Sequence, residues 1–222
     1  MGFFLKLKMW YREACAEVGV PVTKIDQSYA IYPKRFYKNN ALKQEKEIDF
    51  LFIGAFYFTD GQRVGYKNRK WAINFAKKHF TNKSYFVNTS KDMGLEDPWV
   101  KLGEFDKTLE ETCYLIPKTM EKDKRNTFDE KYFSNLAKSK FCLCPAGDKM
   151  YTFRLYEALM CKSIPIVNSR EETFRNKKES KLGYKYYLTS SPEFIYRQDW
   201  VDHNYNLFIK YHTFELGFGR HD

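Results

Sequence analysis

The chain reads Ser139-Lys140-Phe141-Cys142-Leu143-Cys144-Pro145-Ala146-Gly147, then Thr152-Phe153-Arg154-Leu155-Tyr156-Glu157-Ala158-Leu159, then Ser163-Ile164-Pro165-Ile166-Val167. Residues 141–144 are a short apolar run, the mark of a strand buried on both faces. Pro145-Ala146-Gly147 turns the chain tightly and leaves room for backbone approach. Thr152 can cap a helix that runs to Cys161. Residues 164–167 then form the next strand. Strand, helix, strand in this order predicts one unit of a parallel sheet.

The pattern repeats outward from this unit. Upstream, residues 48–54 are an apolar run ending in Gly54. A loop with Thr59, Asp60, Gly61 and Gly65 follows, then a helix from about Asn68 to His79. A strand is expected at residues 84–88, a loop-rich stretch at 91–112, a short strand at 114–117, and a helix at 129–139 capped by Asp129. Downstream come a polar helix at 171–180, an extended aromatic segment at 184–189 and an amphipathic helix at 200–214. Near the start, residues 3–18 have helical spacing, ended by Gly19 and Pro21, and residues 29–37 are aromatic and extended. A charged boundary at 43–47 divides the chain into a short N-terminal segment, 1–46, and one α/β domain, 47–222. The fold class expected is a Rossmann-like parallel sheet with helices on both faces. Such sheets bind ligands beyond the carboxyl ends of their strands, beside a helix N-terminus. That puts the loops after Phe52, Cys144 and Val167 on one rim.

Composition narrows the classes. In 222 residues, 43% are hydrophobic and 18% aromatic, which excludes a disordered chain. No apolar run nears the roughly 20 residues of a membrane span. The opening residues are too interrupted by Lys6 and Lys8 for a secretion signal, and Lys6 spoils a myristoylation site at Gly2. The five cysteines read as small buried thiols of a reducing compartment. Cys142 and Cys144 share one face of a strand, where they cannot readily bridge each other. Together these features predict a cytoplasmic protein with no transmembrane segment. The net charge of +10 suits an anionic partner. The basic residues are scattered rather than gathered in a block, so no nucleic acid is expected.

The central unit carries the chemistry. Free N–H groups and the positive dipole end at Thr152 face whatever the turn holds, and a phosphate fits there. Arg154, in the first helical turn, can grip pyrophosphate oxygens with two parallel bonds. Glu157, one turn deeper, can accept from the two hydroxyls of a ribose. The competing reading is an exposed i,i+3 ion pair between Arg154 and Glu157. Arg63 lies in the glycine-containing loop after the first strand and Arg69 after it, and Arg69 at a helix start is unfavourable without an anion nearby. The competing reading there is a solvated basic face shared with Lys67 and Lys70. If the reaction inverts a sugar's anomeric centre, a base is needed. Asp60 is the first candidate, with Glu104, Asp106 and Asp148 behind it. His79, His203 and His212 fall on helices and read as structural. Tyr184 to Tyr187, Tyr196 and Trp200 could stack on sugar rings, but core packing is the favoured reading. No D-x-D clamp is visible, so no metal and no cofactor are expected. Cationic side chains and the helix dipole would offset the leaving-group charge.

These same residues resemble the exostosin-type glycosyltransferases, whose pattern is S-K-F-C-L-x-P-x-G, then R-L-Y-E-A-L, then C-I-P-V-I. The match runs from Ser139 to Val167 with its spacing kept. The resemblance implies a GT-B architecture of two Rossmann-like domains, the second of which holds the nucleotide diphosphate of a sugar donor. It implies that Arg154 meets the diphosphate and Glu157 the ribose. The donor expected is a uridine diphosphate sugar and the acceptor a glycan hydroxyl. The binding set expected is Arg63, Arg69, Pro145, Gly147, Thr152, Arg154 and Glu157, with Asp60 and Arg154 as catalytic residues. The family's usual glycine after the arginine helix is replaced by Lys162 or Ser163. The residues before the first strand are few for an acceptor domain, so the expectation is a reduced N-terminal part or a donor domain that lacks part of its partner. Two alternatives stand beside this reading: another nucleotide-sugar transferase, such as a fucosyltransferase, and a non-catalytic basic module for glycan or nucleic acid.

Overall fold

The computed structural model describes Tyr32 and residues 34–54, 64–88, 128–147, 151–171 and 173–213. The elements, in order, are α1 (Lys34–Tyr37), a 3-10 turn (Asn40–Leu42), β1 (Ile48–Gly54), α2 (Val64–His79), β2 (Tyr85–Asn88), α3 (Glu130–Lys138), β3 (Ser139–Leu143), α4 (Phe153–Met160), β4 (Ile164–Val167), α5 (Lys177–Ser180), β5 (Tyr187–Leu188) and α6 (Gln198–His212). The five strands form one sheet in the order β2-β1-β3-β4-β5, and every neighbouring pair is parallel. This is the Rossmann-like α/β sheet expected from the alternation of runs.

Period-two alternation divides the core into two layers. Leu51, Ile53, Cys142 and Cys144 face one side, with Phe133, Leu136, Leu155, Leu159 and Phe208 packed on them. Phe50, Phe52, Phe141 and Leu143 face the other, under Ala72, Ile73 and Phe75 of α2 and Val201 of α6. The second layer is largely aromatic: the Phe50 ring stacks on Phe141 at 5.1 Å and meets Phe75 edge-on at 5.6 Å. Tyr32, Phe36 and Tyr37 of the N-terminal segment join the first layer. Cys142, Cys144 and Cys161 are buried free thiols. Of the aromatic cluster, Tyr184 and Tyr187 are core, and Tyr196 and Trp200 pack against it.

Local chemistry sets the ends of the elements. Asp129 caps α3, its Oδ1 accepting from the Tyr132 amide at 3.0 Å. Thr152 caps α4 through the Arg154 amide. The C-terminus of α4 closes with the Ser163 amide on the Ala158 carbonyl (2.9 Å) and the Lys162 amide on Leu159 (3.2 Å), the Schellman pattern. Lys162, the residue in the left-handed position there, has φ +57. This is where a glycine would fit without strain. Pro165 has no N–H to offer a neighbour, and β5 begins its pairing one residue on, beside Ile166.

Lys46 fastens the opposite end of the sheet. Its ammonium donates to the carbonyls of Ala137 (2.7 Å), Ser139 (2.9 Å) and Cys161 (3.0 Å), with Ser163 Oγ at 3.4 Å. Two of these carbonyls end helices, where a cation is favoured. Burial, aided by the nearby Lys162, lowers the Lys46 pKa to about 8.

Several expectations are corrected. The first long helix begins at Val64, not Asn68, so Arg69 lies in its second turn. The polar helix at 171–180 shrinks to α5, because Asn176 accepts from the amides of Lys178 and Glu179 and starts the helix there. Part of the aromatic segment at 29–37 is the helical turn α1 rather than extended chain. The helix at 3–18 and the strand at 114–117 lie outside the described residues.

Candidate functional site

In the order β2-β1-β3-β4-β5 the chain moves outward from β1 to β2, then returns to the other side of β1 for β3. In sheets of this kind ligands bind where the direction reverses, which here is beyond the carboxyl ends of β1 and β3. Arg154 and Arg69 both lie at this end of the sheet.

Arg154 lies over the end of β1. A Cβ built on Gly54 would stand 2.9 Å from Arg154 Nη2 and 3.2 Å from Nη1, so only glycine leaves that space open. The Phe52 ring lies beneath, 5.2 Å from the guanidinium carbon. Arg154 Nε and Nη1 are shielded from solvent and have no hydrogen-bond partner among the described residues. Leaving such donors unmet costs about 1–3 kcal/mol each. Burial opposes the charge, but the surrounding Tyr132, Cys142, Cys144 and Glu157 more than offset it and hold the pKa above the ordinary arginine value.

Glu157 follows one turn later. Its Oε2 accepts from the Tyr132 hydroxyl at 2.5 Å. Burial raises the Glu157 pKa, while the Tyr132 bond and the Arg154 charge pull it down. The hydrogen-bond partner of Glu157 among the described residues is therefore Tyr132, and both Arg154 and Glu157 turn inward. They do not form the exposed ion pair that was the competing reading.

Arg69 approaches from α2. Its Nε donates to the Ala146 carbonyl at 3.3 Å, and its Nη2 stands 3.5 Å from where a Gly147 Cβ would lie. Arg69 thus braces the turn after β3. Pro145 and Ala146 are buried, and the Gly147 amide donates to the Tyr151 carbonyl at 3.3 Å. The Thr152 cap takes the Arg154 amide at 3.3 Å, so one free N–H of α4 is already occupied.

Arg69, Pro145, Gly147, Thr152, Arg154 and Glu157 therefore lie near one another beyond the carboxyl ends of β1 and β3. Asp60, Arg63, Glu104, Asp106 and Asp148 lie outside the described residues. The histidines sit as expected for structural groups. His79 packs on Phe75 (4.5 Å), His203 Nε2 meets the Gly183 carbonyl (2.9 Å), and His212 stacks on Phe208 (5.7 Å).

Two groups went unnoticed in the sequence. Tyr132 looked like one more apolar position of α3, and nothing local reveals its bond to a residue 25 positions on. Glu179, fully buried, accepts from the Tyr156 hydroxyl and from the Arg175 amide (3.2 Å). Its place in a charged stretch reads as solvated surface. Among the described residues no group of His, Cys, Asp and Glu is arranged to hold a metal ion, and no helix is long and apolar enough to cross a membrane.

The Rossmann-like parallel sheet is the fold of a glycosyltransferase-related domain of the exostosin type, and comparison with known families shows that this chain carries one. A family model described as the RXYLT1 C-terminal domain matches residues 66–215, and the chain belongs to that family. No curated protein matches the chain in sequence.

Proposed function

We propose that this chain is the donor-binding part of a GT-B-type glycosyltransferase that moves a sugar from uridine diphosphate to a glycan hydroxyl without a metal. The observation that carries the reading is the Arg154 guanidinium, buried over Gly54 with two nitrogens unmatched among the described residues. A buried cation without acceptors is costly unless an anion completes it. A diphosphate at this end of the sheet supplies acceptors in the two-pronged geometry a guanidinium fits. During transfer, negative charge grows on the departing diphosphate, so Arg154 would bind the transition state more tightly than the donor. Arg69, already holding the Ala146 carbonyl, would support the same phosphates from α2. Glu157 would take the ribose. Asp60 remains the proposed base.

The test is nucleotide binding followed by turnover. Uridine diphosphate should raise the melting temperature of the chain, and a soaked crystal should place its phosphates beside Arg154. Arg154→Ala should lower transfer or donor hydrolysis about 100-fold, the scale of one charge-stabilising donor, and weaken donor binding less. Arg154→Lys should recover only part of this. Activity should persist in a strong chelator. Parent-like turnover in both variants would sink the mechanism, and activity restored only by manganese or magnesium would sink metal independence.

A further inference from the structure

Resting on the nucleotide-sugar reading above, we propose that Tyr132 is a positioning residue for donor binding, its hydroxyl holding the Glu157 carboxylate with Oε1 turned to the ribose hydroxyls. Tyr132 reaches Glu157 from a different helix, and its phenol donates to Oε2. Oε1 has no hydrogen-bond partner among the described residues. One oxygen is thus committed to the protein and the other is left for a ligand donor.

The phenol is itself fixed. Asp129 caps the helix through the Tyr132 amide, the ring is buried at 7% exposure, and it meets the Phe133 ring edge-on at 4.9 Å. Swinging the ring away from Glu157 would mean displacing a buried side chain from its packing.

The groups that face Glu157 leave it few sources of support. From its own helix come Arg154 and, at the end, Cys161. Tyr132 faces it from α3, Cys144 from the turn after β3, and Tyr32 from the N-terminal segment. Burial drives the two phenols and two thiols upward in pKa, so each stays neutral. Arg154 is the one charged neighbour of this set, and its charge is wanted by the diphosphate. The Tyr132 bond is then the direct contact that favours the ionised carboxylate over the acid. Removing it makes Glu157 take up a proton at a higher pH. A protonated carboxyl receives ribose hydroxyls more weakly than a carboxylate does.

The test compares uridine diphosphate with its 2′,3′-dideoxy analogue by calorimetry, on the full chain, across pH 5 to 8. The parent should prefer the ribonucleotide about tenfold or more, the scale of a hydrogen bond to a charged group. Tyr132→Phe keeps the ring and its packing. It should lose most of that preference, bind uridine diphosphate about tenfold more weakly, and lose affinity on acidification at a higher pH than the parent. Glu157→Gln should abolish both the preference and its pH dependence, and adding Tyr132→Phe to it should change nothing further. Equal weakening for both nucleotides with the preference intact would make Tyr132 merely structural and overturn the proposal. So would an unchanged Tyr132→Phe, or a full further loss in the double variant. A parent that binds no uridine diphosphate removes the donor reading and this role together. A parent that binds both nucleotides alike removes the role alone.

Discussion

Two cations are buried at opposite ends of one sheet, and their surroundings differ completely. Lys46, at the end where the strands begin, is met by three carbonyls and a hydroxyl between 2.7 and 3.4 Å. Arg154, where the strands finish, has the Phe52 ring below it and no acceptor for Nε or Nη1 among the described residues. A charge that the protein satisfies is part of the architecture. A charge it leaves unmatched is the feature on which the donor-site proposal rests. On that proposal the same sheet carries its fastening at one end and its chemistry at the other, in line with ligand binding beyond carboxyl ends.

The comparison predicts opposite responses to neutralising each cation. Lys46→Met should destabilise the fold by about 3 kcal/mol, because it orphans several buried carbonyls at once. Nucleotide affinity should follow only through stability. Arg154→Met should change stability by less than about 1 kcal/mol, since Nε and Nη1 make no hydrogen bond that is lost, while nucleotide binding collapses. Urea melts and calorimetry on the two variants decide the matter. A stability loss at Arg154 as large as that at Lys46 would break the distinction.

The second expectation concerns pH. Lys46 has a folded pKa near 8, below its ordinary 10.5. Between those values the unfolded chain holds more protons than the folded one, so this group makes stability rise with pH. The slope is at most about 1.4 kcal/mol per pH unit. Below pH 8 both states are protonated and its contribution is flat. Melts of the parent and Lys46→Met between pH 7.5 and 10.5 should diverge by this amount, and parallel curves would show that Lys46 is not shifted.

A smaller effect is expected at Gly54. Gly54→Ala puts a Cβ where Arg154 Nη2 now lies, 2.9 Å away. The guanidinium must shift, and nucleotide affinity should fall about tenfold, the scale of one charged hydrogen bond. Stability should move by under about 1 kcal/mol, because alanine suits a strand better than glycine does. Unchanged affinity would show that the open space under Arg154 is incidental. The smallest effect belongs to Lys162→Gly, which relieves the +57° φ and should stabilise by about 1 kcal/mol.

Much of this was legible in the sequence, for physical reasons. The apolar runs at 48–54, 141–144 and 164–167 are short, bounded by turn residues and separated by helical patterns, which marks them as strands of a doubly covered sheet. The caps at Asp129 and Thr152 act within three residues. The glycine position after α4 was visible as a departure, and Lys162 adopts the conformation the missing glycine would have taken. What escaped was information carried across the chain. Lys46 sat in a charged stretch that reads as a boundary, and nothing near it announces carbonyls from the ends of α3 and α4 and the start of β3. Tyr132 and Glu179 look like an apolar position and a solvated acid until their partners are in place. The inward turn of Arg154 depends on Gly54 and Phe52, a hundred residues earlier, about which periodicity in α4 says nothing.

Lys46 also bears on the route by which the chain folds. Its bonds to Ala137 and Cys161 close loops of 91 and 115 residues. They form only after α3 and α4 have docked side by side on β3, because the ammonium needs both helix ends at once. Closing such spans is entropically costly early and rewarded late. The clasp is therefore expected to form after the rate-limiting assembly of the sheet. Its loss should leave the refolding rate nearly untouched and speed unfolding instead, so Lys46 acts as a latch that governs how long the finished domain stays closed.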